Sequence, residues 1–240
     1  MTILFFIFVS SMMSLLMFVQ KYPEISGKLG MIGDKASMLR FGEPNWQNYF
    51  RLLIEGMAGV GLVGIGFVTS WIFGREFSDH TVKDILALPV SRVYIVLSKL
   101  ILVVIWFIIL SFAYFASGLI SGMLIDLPGL SKDLILRNGY IYFATSFLII
   151  FLSTPVAFFA SYARGYIFPL AFVILTMILA NFSGLVGLGP YFPWAIPGLY
   201  GTPSASQSMQ LNCASYIILL CTALAGLFGT IAFWQYADQK

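Results

Sequence analysis

The sequence predicts an all-α polytopic membrane protein with six transmembrane helices, on three observations. Of its 240 residues, 60% are apolar and only 10% are charged, with a mean hydropathy of +0.93. Soluble domains carry about a quarter charged residues, so water is not the solvent for most of this surface. Six apolar runs approach or exceed the roughly 20 residues a helix needs to cross a hydrocarbon core, and polar or Pro/Gly-rich segments separate them. A single membrane-spanning domain over residues 1–240 accounts for the chain.

The first span is expected at about residues 2–19. No Lys or Arg precedes it, and it ends in Gln20, Lys21 and Tyr22 rather than in a small-residue cleavage site, so it reads as a retained span rather than a signal peptide. Residues 21–49, with Pro23, Gly27, Gly30, Gly33, Gly42 and Pro44, form a loop outside the bilayer core. The second span, about 52–73, carries Gly56, Gly59, Gly61, Gly64 and Gly66. In lipid, small residues let helix backbones approach, so these glycines are assigned to helix packing. The match Gly59-x-Gly61-x-x-Gly64 is not a dinucleotide fingerprint, because that motif needs a strand before it and a helix after it. The third span is expected at 93–125, a loop at 126–138, and the fourth span at 139–160. A charged turn around Arg164 and Gly165 leads into the fifth, at 166–186. The segment 187–210 is rich in Pro and aromatics, and the sixth span covers 211–236.

Composition also excludes classes. The net charge is +3 and the thirteen Lys and Arg are scattered, so there is no nucleic-acid footprint. Cys213 and Cys221 lie about 12 Å apart along one helix, beyond disulfide reach. His80 is the single histidine and has no partners at ligand spacing, so neither a metal site nor a cofactor is expected. No paired acids, Ser/His pair or metal ligands lie within the spans, so no catalytic residue is assigned and an intramembrane protease is disfavoured. Basic residues number six on the side of the termini and seven on the other, which leaves the orientation undecided.

The segment from Gly74 to Arg92 has the most local order among the polar interruptions. Ser78 or Asp79 can cap a helix, and Phe77, Val82, Ile85, Leu86 and Leu88 form an apolar stripe at helical spacing. Pro89 ends it, and Ser91 can cap the next span. The expectation is a short amphipathic helix on the membrane surface between spans two and three.

The pattern Glu76, Thr81, Leu86, Pro89, Ser91, Arg92 and Lys99, set between the second and third of six spans, resembles the membrane subunit of an ATP-binding-cassette exporter of the second type. The run from Gly189 to Pro197 resembles the bacitracin-type and lantibiotic-type branch of that family. Members usually begin with a short basic amphipathic helix, whereas this sequence opens inside its first span. The resemblance implies one permease domain at residues 1–240 in the cell membrane, both termini cytoplasmic, and a cytoplasmic ATPase as partner. It also implies a second permease subunit, identical or not, and contact with membrane lipid. Export of a peptide antibiotic, a drug or another amphipathic substrate follows, with antibiotic resistance as its consequence. Contacts with the ATPase are assigned to Glu76, Asp79, Thr81, Lys83, Asp84, Pro89 and Arg92.

Simpler readings stand beside these. Glu76 near a helix start is favourable there whatever its function. Arg51 and Glu55, one turn apart, form an interfacial ion pair or line a substrate path. Trp194 and its neighbours form an interfacial aromatic belt or touch substrate. The chain has no Gly-x-x-x-x-Gly-Lys-Ser/Thr loop, so ATP hydrolysis belongs to another polypeptide. A peptide-binding immunity protein that does not transport, and an ion-coupled carrier, are the alternatives.

Overall fold

A computed structural model describes residues 1–22, 42–79, 90–202 and 210–236. The described residues form α1 (Thr2–Lys21), α2 (Trp46–Ser78), α3 (Arg92–Leu124), α4 (Lys132–Phe151), α5 (Ser153–Tyr162) and α6 (Ile167–Leu185). A 3-10 turn (Gly189–Tyr191), α7 (Ile196–Gly201) and α8 (Cys213–Tyr236) follow. Taking α4 and α5 as one span, six helices are long and apolar enough to cross a membrane, and no strand occurs among the described residues. The expected amphipathic connector falls on residues 80–89, outside the described residues.

Several helix ends differ from the hydropathy reading. The second span starts at Trp46, six residues before the expected Leu52, because Asn45 caps it. The Asn45 side chain accepts from Asn48 N at 2.9 Å, satisfying one of the orphan N–H groups of the first turn. Trp46 and Tyr49 are fully buried in this turn, so tertiary packing holds a stretch whose Gln47 and Asn48 read as loop. At the other end α2 continues through Gly74 to Ser78, with Asp79 at its C-cap. The fourth span begins at Lys132 instead of Gly139, capped by the Ser131 hydroxyl, which accepts from Leu134 N. Ser91 sits at the N-cap of α3, but its side chain makes no capping bond.

The span α4–α5 breaks at Leu152. Pro155 has no N–H to offer the carbonyl four residues back and crowds it, which is enough to interrupt a helix. Local hydroxyls compensate: Ser153 Oγ donates to Ile150 O at 2.7 Å, and Thr154 Oγ1 reaches Ala223 O of α8 at 2.7 Å.

The centre of the bundle is α2. Two thirds of its apolar window is buried (67%), against 17% for α6, and α1, α3, α4, α5 and α6 all pack on it. Buried hydroxyls tie these helices where hydrophobic attraction between them is weak. Ser14 of α1 lies 2.5 Å from the Tyr49 hydroxyl, which donates to Gly118 O of α3 at 2.8 Å. Ser10 donates to Tyr114 O at 3.0 Å. Between α3 and α4, Tyr142 donates to Ser111 O at 2.9 Å and Ser111 bonds Ser146 at 2.9 Å.

Two cations close helix C-termini across the bundle. Lys21 donates to Ile125 O and Asp126 O, at 2.8 and 2.6 Å, just past the end of α3. Arg92, the first residue of α3, donates to Trp234 O and Gln235 O of α8, at 3.0 and 3.1 Å. Both satisfy orphan carbonyls and oppose the negative end of the helix dipole.

Candidate functional site

The residues flanking the undescribed segment 80–89 converge at one end of the bundle. Of the sequence-assigned contacts, Thr81, Lys83, Asp84 and Pro89 lie outside the described residues, while Glu76, Asp79 and Arg92 are placed. Asp79 Oδ2 accepts from Arg75 Nε at 2.9 Å, one turn back, and both side chains are at least half exposed. The Arg75 guanidinium also lies over the Trp71 ring, 5.5 Å from its centroid. Glu76 behaves differently. It forms an ion pair with Lys99 of α3, and here the side chains retain only 21% and 10% of their exposure.

Lys99 is the pivot of a cluster drawn from four helices. Its ammonium donates to Ile72 O at 3.3 Å and sits over the rings of Phe73 and Trp234, 5.3 and 4.9 Å from their centroids. Trp234 is fully buried. Its Nε1 donates to Ser161 Oγ of α5 at 2.9 Å, and Phe77 meets its ring edge-on at 5.9 Å. Arg92 holds the carbonyls of Trp234 and Gln235 from the other flank. The backbones close up beside this cluster, since a Cβ on Gly74 would stand 2.7 Å from the Gly165 backbone. Sequence reasoning named Lys99 only as part of the family pattern and gave Trp234 no role. A pairing 23 residues apart across two spans leaves no local periodicity to find.

Next to the cluster, a crevice of about 720 Å³ is lined by Met1, Phe67, Trp71, Leu102 and Trp106, with Glu76 and Lys99 at its polar end. A second cavity, about 420 Å³, opens at the opposite end of the bundle between α2, α6 and α7. Its lining includes Glu55, Gly59, Met177, Asn181, Trp194 and Leu199. Glu55 accepts from Arg51 Nε at 3.0 Å, and both side chains are exposed. Trp194 packs edge-on against Phe172 at 5.5 Å and beside Phe192 at 5.6 Å.

The wall of this cavity is α7, which sequence reasoning missed. Ile196, Pro197 and Gly201 are buried, and a Cβ on Gly201 would strike Ile54 of α2 and come within 3.1 Å of Thr145 Oγ1 of α4. The segment therefore dips into the bundle rather than lying wholly at the interface. Pro197 in the first turn and the small residues Ala195, Gly198 and Gly201 were the available signal.

The glycines of α2 differ in their surroundings. A Cβ on Gly64 would collide with the Phe6 ring, one on Gly56 with the Tyr114 hydroxyl, and one on Gly66 would stand 2.6 Å from Val173. Gly61 faces Ile149 and Met57 at 3.0 and 3.1 Å. Gly59 has only Met177 at 3.8 Å, an ordinary contact, and opens onto the smaller cavity. Cys213 and Cys221 are both free. Among the described residues no group of His, Cys, Asp and Glu is arranged to hold a metal ion.

Comparison with known proteins adds the relatives. A family model described as "ABC-2 family transporter protein" matches residues 1–183. The bacitracin transport permease protein BCRB of Bacillus licheniformis is 26% identical over 220 residues, covering 91% of this chain and 97% of that protein. No solved structure matches. With the family model spanning well over half of the chain, and six membrane-length helices in the structure, this protein belongs to the ABC-2 family of transporter proteins.

Proposed function

We propose that the chain is the permease subunit of an export complex that moves a peptide antibiotic, a drug or another amphipathic substrate out of the cell. Family membership makes it a multi-pass membrane transport subunit rather than an enzyme, and implies an ATP-binding-cassette ATPase as a separate partner. The observation that carries the cargo class is the relation to a bacitracin transport permease across 97% of that protein's length. In this reading two permease subunits, identical or not, surround the pathway. The partner ATPase docks on the end of the bundle that carries Glu76, Asp79 and Arg92, together with Thr81, Lys83, Asp84 and Pro89 of the connector. Both termini and that end face the cytoplasm, and lipid covers the outward apolar faces. Exposed charges such as Asp79 contribute about 0 to 1 kcal/mol each to stability, so they are available for contact with a partner at little cost to the fold.

The test is resistance of a sensitive host to bacitracin and to a lantibiotic, with the chain expressed beside its partner ATPase. Resistance is expected to rise several-fold with the active ATPase. It should vanish when the phosphate-binding lysine of the ATPase is replaced. Resistance that persists with the inactive ATPase would identify a binding immunity protein instead, and no resistance to either peptide would remove this cargo class.

Orientation has its own measurement. In a background with Cys213→Ala and Cys221→Ala, single cysteines at Leu130 and at Tyr162 sample opposite ends of the bundle at exposed positions. Leu130→Cys should react with an impermeant thiol reagent in intact cells, and Tyr162→Cys only after permeabilisation. The reverse pattern would place the connector outside and end the docking proposal.

A further inference from the structure

Resting on the export reading above, we infer that Lys99 and Trp234 are positioning residues for ATP-driven transport. They fasten both flanks of the connector segment to the last span, so that a push on the connector moves α8 and α5 with it.

The chain enters residues 80–89 from the last turn of α2 and leaves them into the first turn of α3. Both flanks are tied to one short stretch of α8. On the entering side Glu76 is paired with Lys99, whose ammonium lies 4.9 Å from the centre of the Trp234 ring, and Phe77 packs on the same ring. On the leaving side Arg92 holds Trp234 O and Gln235 O. Trp234 passes the connection to α5 through Ser161.

Stability alone does not account for this arrangement. A buried ion pair gains little over well-packed apolar residues, because desolvation offsets attraction, and ionisable groups inside a membrane protein carry a further cost. Nor does closing a helix end require an acid beside the cation. At the opposite end of the bundle Lys21 closes α3 through the carbonyls of Ile125 and Asp126. What the Glu76–Lys99–Trp234 arrangement adds is direction: it makes the mechanical neighbour of the connector the last span, 135 positions further along the chain than Lys99. A connector tied only to α2 and α3 would turn on its own flanks and leave α8 in place.

The experiment uses the complete complex with its ATPase in proteoliposomes, with bacitracin as the probe cargo, and reads cargo moved per ATP hydrolysed. Glu76→Gln with Lys99→Met removes both buried charges together, and Trp234→Leu removes the ring. Each should lower the ratio about fivefold or more, the scale set by loss of a desolvated ammonium–ring contact. Trp234→Phe keeps a ring under the ammonium but loses the bond to Ser161, so it should fall between wild type and Trp234→Leu. The charge exchange Glu76→Lys with Lys99→Glu, which restores an ion pair but moves the cation off the ring, should recover it only in part. If transport and hydrolysis instead fall together, in proportion to the folded complex recovered, the cluster is structural only and the inference is overturned. An unchanged ratio in Trp234→Leu overturns it equally. A wild-type complex whose hydrolysis moves no bacitracin is a different failure, which removes the cargo reading and this inference with it.

Discussion

Gly226→Ala is expected to destabilise the detergent-solubilised protein by about 3 kcal/mol, the upper end of the usual overpacking range. At roughly 2 to 4 °C per kcal/mol for a chain of this size, the thermal midpoint should fall by about 6 to 12 °C. The reason is what the added methyl would meet. It would stand 2.6 Å from the carbonyl carbon of Thr154 and 2.8 Å from Pro155 Cα, where α8 crosses the break between α4 and α5. Backbone atoms have no rotamer through which to retreat, and Thr154 is already hydrogen-bonded to Ala223 at the same crossing. Gly184→Ala is the matched control, because nothing lies within 4 Å of its Cβ position. There the substitution should be neutral or slightly stabilising, as alanine is the better helix former. Equal midpoints for the two variants would mean that α8 does not approach α5 this closely.

Lys99→Met alone should cost about 3 to 5 kcal/mol, because it leaves the Glu76 carboxylate in a shielded site without its cation. Adding Glu76→Gln to that variant should restore most of the loss, since replacing both members of a buried pair is often close to neutral. The check is a double-mutant cycle of thermal midpoints on purified protein. A large coupling between the two positions is the expected outcome. Additive losses would show that the two side chains do not share a contact in solution.

Hydropathy made the interiors of the spans legible, because an apolar run long enough for the bilayer leaves few alternatives. It failed where packing rather than composition holds a helix. The first turn of α2 contains Gln47 and Asn48 yet is helical, since Trp46 and Tyr49 fill the space against Gly122 of α3. The start of α4 was hidden for another reason: Lys132, Asp133 and Arg137 lie in a largely exposed turn beyond the apolar run, held by the Ser131 cap rather than by packing. Helix α7 was illegible for a different reason. A Pro and aromatic run reads as interface, and only the fit of Gly201 against Ile54 reveals that the chain turns inward. At the connector end, sequence singled out Glu76 and Arg92 as residues of interest, but it treated each singly. Their joint relation to Trp234 depends on how α2, α3 and α8 meet, and no spacing along one helix encodes that.

The link from Arg92 to the final turn of α8 also bears on how the chain is made. The guanidinium is synthesised 142 residues before the carbonyl of Trp234 that it holds. Until the last span has entered the membrane, Arg92 has no α8 carbonyls to bind, and the Lys99 ammonium lacks the Trp234 ring that covers it. The connector end of the bundle is therefore completed only when the last span is in place, because α8 supplies a partner to each of the two cations.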